Sequence, residues 1–124
     1  MIGREKEHIM ARADQPVDLH YLDRFTGGNR AINEEILRLF DNQCRESLAL
    51  LEVLAHEGGD AKSWREITHT LKGAARGIGA FDLGDAVADA ENSAPASAQP
   101  QLERLKRDAA AVFGFIAKFL QTQT

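Results

Sequence analysis

The sequence has one cysteine, few aromatic residues and no long hydrophobic run. Cys44 cannot form an internal disulfide and cannot build a cysteine zinc site by itself. No stretch approaches the roughly 18 consecutive apolar residues of a transmembrane helix, and the opening MIGREKEHIMARA lacks the apolar core of a signal peptide. We therefore expect a cytoplasmic protein without membrane contact, in which Cys44 is a small apolar residue on a helix.

The sequence also lacks an excess of positive over negative charge. The 15 lysines and arginines are outnumbered by 19 acidic residues, and the net charge is -4. A chain of this charge has no general attraction to polyanions. We do not expect nucleic acid as a partner.

Signals for β-strands are also missing, because no segment alternates apolar and polar residues and β-branched residues never cluster. Helical periodicity recurs instead. After Pro16, a short helix is predicted up to Gly27-Gly28. Asn29 is a plausible N-cap for a long helix that reaches about His56. The predicted buried residues of this long helix are Ile32, Ile36, Phe40, Leu48, Leu51 and Ala55.

Three further helices follow. The third can begin at Asp60, or at Ser63 with Glu66 in capping-box spacing, and it should end near Gly77 and Gly79. Residues 81–92 form a fourth, and the small, proline-containing stretch 93–100 is a surface connection. The apolar residues of the last helix are Leu102, Leu105, Ala109, Val112, Ile116 and Phe119. Amphipathic helices joined by short loops predict an all-α helical bundle with one core.

The third helix places a histidine opposite its apolar stripe. At about 100° per residue, the stripe lies within about 40° of the direction opposite His69; its members are Trp64, Ile67, Leu71, Ala74 and Ile78. The side of His69 carries a glycine and three cations, namely Gly73, Arg65, Lys72 and Arg76. If the stripe faces the core, His69 faces water.

An exposed imidazole titrates close to neutrality, so it offers a nucleophilic ring nitrogen that can accept a phosphoryl group. Lys72, one turn on, and Arg76, two turns on, can place positive charge beside the resulting dianion. Gly73 costs about 1 kcal/mol relative to alanine inside a helix, and its missing side chain leaves room for another protein. Taken singly, such a histidine is most often structural and such cations most often form a solvated surface.

The run HTLKGAARGIGAFDL, residues 69–83, resembles the signature of histidine phosphotransfer (HPt) domains, roughly H-x-L-K-G-x-x-x-x-[apolar]-G-[small]-x-x-[apolar]. Every specified position matches, and the stretch from Val17 to Asn29 is similar to the entry into such domains. The resemblance covers about residues 16–121. It leaves residues 1–15 as an N-terminal arm or loose helix and residues 122–124 as a C-terminal tail.

The resemblance implies an all-α, up-down-up-down four-helix bundle with an accessory short N-terminal helix. It also implies that His69 is phosphorylated on Nε2, that Lys72 supports the phosphate and that Gly73 permits close docking of a receiver domain. Arg76 is not a fixed position of the pattern, so its role depends on the projection. The implied partners are response-regulator receiver domains, including that of a hybrid histidine kinase, and we expect a monomer.

No P-loop GxxxxGK[ST] occurs, and one domain leaves no room for a kinase domain. We therefore predict a phosphocarrier without ATP-dependent kinase activity of its own and without cofactors, the Mg²⁺ being held by the receiver. One alternative is a bundle that docks on a receiver or kinase without carrying phosphate. Another, a metal site of His8, His20, His56 and His69, is disfavoured because no two of them share a helix face at ligand spacing.

Overall fold

The structure is a computed structural model that describes residues 15–122. Apart from Gln15, the predicted N-terminal arm therefore lies outside the described residues, as do residues 123–124 of the predicted tail. Residues 15–122 are all-helical and contain no strand, which confirms the predicted class. The elements are α1 (Leu19–Thr26), α2 (Arg30–Glu57), α3 (Ala61–Gly77), α4 (Phe81–Glu91), a 3₁₀ turn (Pro95–Ser97) and α5 (Gln99–Gln121).

Polar side chains cap the starts of the first three helices, and glycines end the first two. Asn29 caps α2 as predicted, since its side-chain oxygen accepts a hydrogen bond of 3.0 Å from the Ile32 amide. Asp60 caps α3, since its carboxylate accepts from the Lys62 and Ser63 amides, and the alternative start at Ser63 is wrong because the helix already begins at Ala61. Gly58 ends α2 in the left-handed region, with φ 63°.

The core lies among α2, α3, α4 and α5. Each of these helices packs against the next along the chain, and α5 also packs against α2. The seam of α5 is buried as predicted from Leu102 to Ile116, and Phe119 is half-buried. This helix begins at Gln99, earlier than expected. The predicted loop 93–100 therefore contains the 3₁₀ turn and also the first two residues of α5.

The predicted buried face of α2 is partly wrong. Ile32 is 44 % exposed, whereas Leu37 and Cys44 are completely buried. Apolar residues occur on several faces of this helix, and packing against α3 and α5 decides which face is covered. Burial raises the pKa of Cys44 to about 12, so the thiol stays protonated and fills space in the core, as expected.

Gly79 of the HTLKGAARGIGAFDL run joins α3 to the segment before α1. Its φ is 85°, and a Cβ there would lie 2.6 Å from the Asp18 carbonyl oxygen. The Asp18 amide donates to the Gly79 carbonyl over 2.9 Å. This glycine therefore fixes where the N-terminal segment crosses the end of α3. None of the helices within residues 15–122 is long and apolar enough to cross a bilayer.

Candidate functional site

The stripe of α3 faces the core, and the opposite face is open. Trp64, Leu71 and Ile78 are buried, whereas the His69 side chain is 73 % exposed. The projection of the third helix predicted the open side of His69 correctly, although Ile67 and Ala74 of the predicted stripe are only half-buried. Thr68 is also completely buried. Its hydroxyl donates to the Trp64 carbonyl over 2.8 Å, so this polar group needs no partner from another helix.

A carboxylate from another helix holds the imidazole of His69. Glu91, the last residue of α4, accepts from Nδ1 of His69 through Oε2 at 3.1 Å and from Nζ of Lys72 through Oε1 at 2.6 Å. Because an ionised carboxylate can only accept, Nδ1 carries the proton and Nε2 of the neutral ring keeps a free lone pair. Sequence reasoning missed Glu91, which lies 22 residues beyond His69 and comes close only through the packing of α4 on α3.

The negative charge of Glu91 is stabilised by Lys72 and His69. The hydrogen bond from Lys72 and, to a lesser extent, that from His69 lower the pKa of the Glu91 carboxyl below its ordinary value. Partial burial acts in the opposite direction and does not prevail. The favourable contact with Lys72 is therefore complete at neutral pH and is lost as the pH falls through the lowered pKa.

Replacing Lys72 with methionine should raise the pKa of Glu91 towards its ordinary value, because the largest cause of the lowering is removed. A ¹³C NMR titration of the side-chain carboxyls measures this. Asp60 is the internal control, since its lowered pKa depends on contacts with Ser63 and Lys62. If Glu91 titrated in the variant as it does in the wild type, Lys72 would not be what stabilises its charge.

Gly73 lies on the open face, where a Cβ would meet nothing within 4 Å. The surface directly above Gly73, one turn after His69, is therefore open. Arg76, predicted from the projection to support the phosphate, has a partner on α4. Its Nη2 lies 3.3 Å from Oδ1 of Asp85, and its stem lies so close to Gly84 that a Cβ there would be 2.7 Å from Arg76 Cγ. Arg76 thus extends across α4.

Residues 15–122 contain no group of three or more histidine, cysteine, aspartate or glutamate side chains placed to hold a metal ion. Of the histidines considered for a metal site, His8 lies outside the described residues. The imidazole of His69 is bound by Glu91, which also binds Lys72. This arrangement suits an imidazole that acts as a nucleophile and a lysine that lies near a bound anion.

Comparison with known proteins agrees with this geometry. No curated protein and no solved structure matches the chain. The family model described as Hpt domain matches residues 35–114, a range that contains His69, Glu91, all of α3 and α4, and most of α2 and α5. Hpt domains are phosphocarriers of His-Asp phosphorelays and have receiver domains as partners. Since the match covers well over half of the 124 residues, the chain belongs to the Hpt domain family.

Proposed function

We propose that this chain accepts a phosphoryl group on Nε2 of His69 from the aspartyl phosphate of one receiver domain and passes it to the aspartate of another. The observation that carries the proposal is the exposed imidazole whose Nδ1 is bound by Glu91. This contact directs the proton to Nδ1 and leaves Nε2 as the nucleophile. A hybrid histidine kinase receiver among the partners, a cytoplasmic location and a monomeric state remain predictions.

The transfer step follows from these contacts. The Nε2 lone pair forms the N–P bond while the P–O bond to the aspartate breaks, and its electron pair returns to the aspartate carboxylate. Nδ1 keeps its proton, so no base has to remove one, and Glu91 offsets the positive charge that develops on the ring. Lys72 holds Glu91 in place and adds positive charge beside the phosphoryl group. This chain needs no cofactor of its own, because the receiver supplies Mg²⁺.

The arrangement of the helices leaves His69 accessible to a partner protein. We propose that α2 to α5 form an up-down-up-down four-helix bundle, with α1 as the accessory helix and residues 16–121 as the domain. The connections 58–60, 78–80 and 92–98 are short, which favours antiparallel neighbours. His69 then lies in the middle of α3, away from the loops, where a receiver can dock against regular helices.

The test is transfer of label from a receiver domain that carries ³²P on its aspartate. Wild-type protein should acquire acid-labile, base-stable label, and His69→Gln should acquire none. His56→Gln is the matched control, because His56 is also an exposed helical histidine, and this variant should be labelled like the wild type.

Label on His69→Gln would place the phosphoryl group elsewhere and overturn the assignment. If the wild type bound the receiver but stayed unlabelled, the chain would instead be the docking bundle that carries no phosphate. Binding is measured on the same samples, so that the two results are separated.

A further inference from the structure

The three cations on the His69 face differ in whether they already have a partner. Lys72 is bound to Glu91 at 2.6 Å, and Arg76 to Asp85 at 3.3 Å. The guanidinium of Arg65 is exposed and makes no hydrogen bond or ion pair with any side chain of residues 15–122. Within the described part of the chain, it is therefore the cation of this face that can take up a new anion without breaking an existing contact.

Helix geometry brings Arg65 and His69 together. They lie four residues apart on one face of α3, a spacing at which side chains are neighbours. Side chains of an α-helix lean towards its N-terminus, so the His69 ring covers the turn that contains Arg65 more than the turn that contains Gly73. A groove of about 370 Å³ between the start of α3 and the end of α4 is lined by both Arg65 and Glu91, so Arg65 borders the same surface depression as the residue that holds Nδ1.

We infer that Arg65 binds the phosphoryl group carried by His69, an inference that rests on the proposed function. Glu91 holds Nδ1, so the phosphoryl group is carried on Nε2, and the side chain of Arg65, one turn before His69 on the same face, can reach it. A guanidinium presents its donors in a planar fork that fits two phosphoryl oxygens. Arg65 therefore stabilises the dianion from the N-terminal side, while Lys72 stays on Glu91.

The experiment phosphorylates the protein chemically with potassium phosphoramidate, so that no receiver is required, and follows the pH titration of phospho-His69 by ³¹P NMR. His69→Gln identifies the resonance. A neighbouring cation favours the dianion, so Arg65→Ala should raise the pKa of the phosphoryl group by about 0.5. Arg65→Lys should restore part of the difference, since it keeps the charge but not the fork.

Arg107→Ala is the matched control, because Arg107 is an exposed arginine on α5 and its loss changes the net charge equally. It should titrate like the wild type. Transfer from a receiver aspartyl phosphate should be about two- to fivefold slower in Arg65→Ala, as expected for an exposed charge contact, and unchanged in Arg107→Ala.

Identical titrations and transfer rates for Arg65→Ala and Arg107→Ala would overturn the inference. Failure of the proposed function has a different signature. The wild type would then take no label from any receiver, although the phosphoramidate product would still report on Arg65.

Discussion

Replacing Gly73 with leucine should slow phosphoryl transfer from a receiver domain by about a hundredfold or more, while chemical phosphorylation of His69 by phosphoramidate stays normal. In the free protein the space above Gly73 is open, and a Cβ there would meet nothing within 4 Å. The Cβ of the new side chain therefore clashes with nothing in the free protein. A docked receiver has to bring its aspartate into line with Nε2, and a displacement of about 1 Å is enough for a loss of this size.

Gly114→Leu is the control for this substitution. Gly114 also lies inside a helix with no atom within 4 Å of an added Cβ, but it is on α5. Each substitution should raise the free energy of unfolding by up to about 1 kcal/mol, because glycine is unfavourable inside a helix. Denaturant unfolding checks this. Wild-type transfer by Gly73→Leu would show that Gly73 provides no access, and equal slowing by Gly114→Leu would show that the effect is not local.

The face that carries His69 was predictable because α3 is a single amphipathic helix with one apolar stripe. Its period alone orients the helix, and Trp64, Leu71 and Ile78 are buried as the projection requires. The end of α1 and the N-caps of α2 and α3 were predictable for a similar reason. Asn29, Asp60 and the paired glycines act on backbone groups within a few residues, so tertiary packing has little influence on them.

The partners of the functional side chains could not be predicted. A projection of α3 shows which residues share its open face, but not how α4 is rotated and shifted against it. That packing brings Glu91 to His69 and Lys72, and Asp85 to Arg76. It also reduces the number of unpaired cations on the face of His69, because two of the three cations there have carboxylate partners. The buried face of α2 was misjudged for the same reason.

The packing of α3 on α4 depends on Trp64, and Trp64→Ala should lower the free energy of unfolding by about 3–5 kcal/mol. The indole is completely buried, and its Nε1 donates to the Ala90 carbonyl over 2.8 Å. Ala90 lies in the last turn of α4, and its carbonyl also accepts from the Ser93 amide over 3.1 Å. The loss would be a large share of the roughly 5–15 kcal/mol of a typical domain. Guanidinium unfolding measures it.

Trp64→Phe separates the packing of the ring from the hydrogen bond that joins Trp64 to Ala90, the neighbour of Glu91. It keeps most of the ring but loses the N–H, at a cost of about 1–3 kcal/mol. Because Ala90 precedes Glu91, losing the hydrogen bond from Trp64 to the Ala90 carbonyl should loosen the end of α4. The contacts of Glu91 with Lys72 and His69 should then weaken, the pKa of Glu91 should rise and transfer should slow. Ile116→Ala is the control, since this buried residue of α5 should cost about 2–5 kcal/mol. While it remains folded, it should transfer normally. If Trp64→Phe did so too, Trp64 would only fill the core, and the position of Glu91 would depend on Lys72 and the helix backbone.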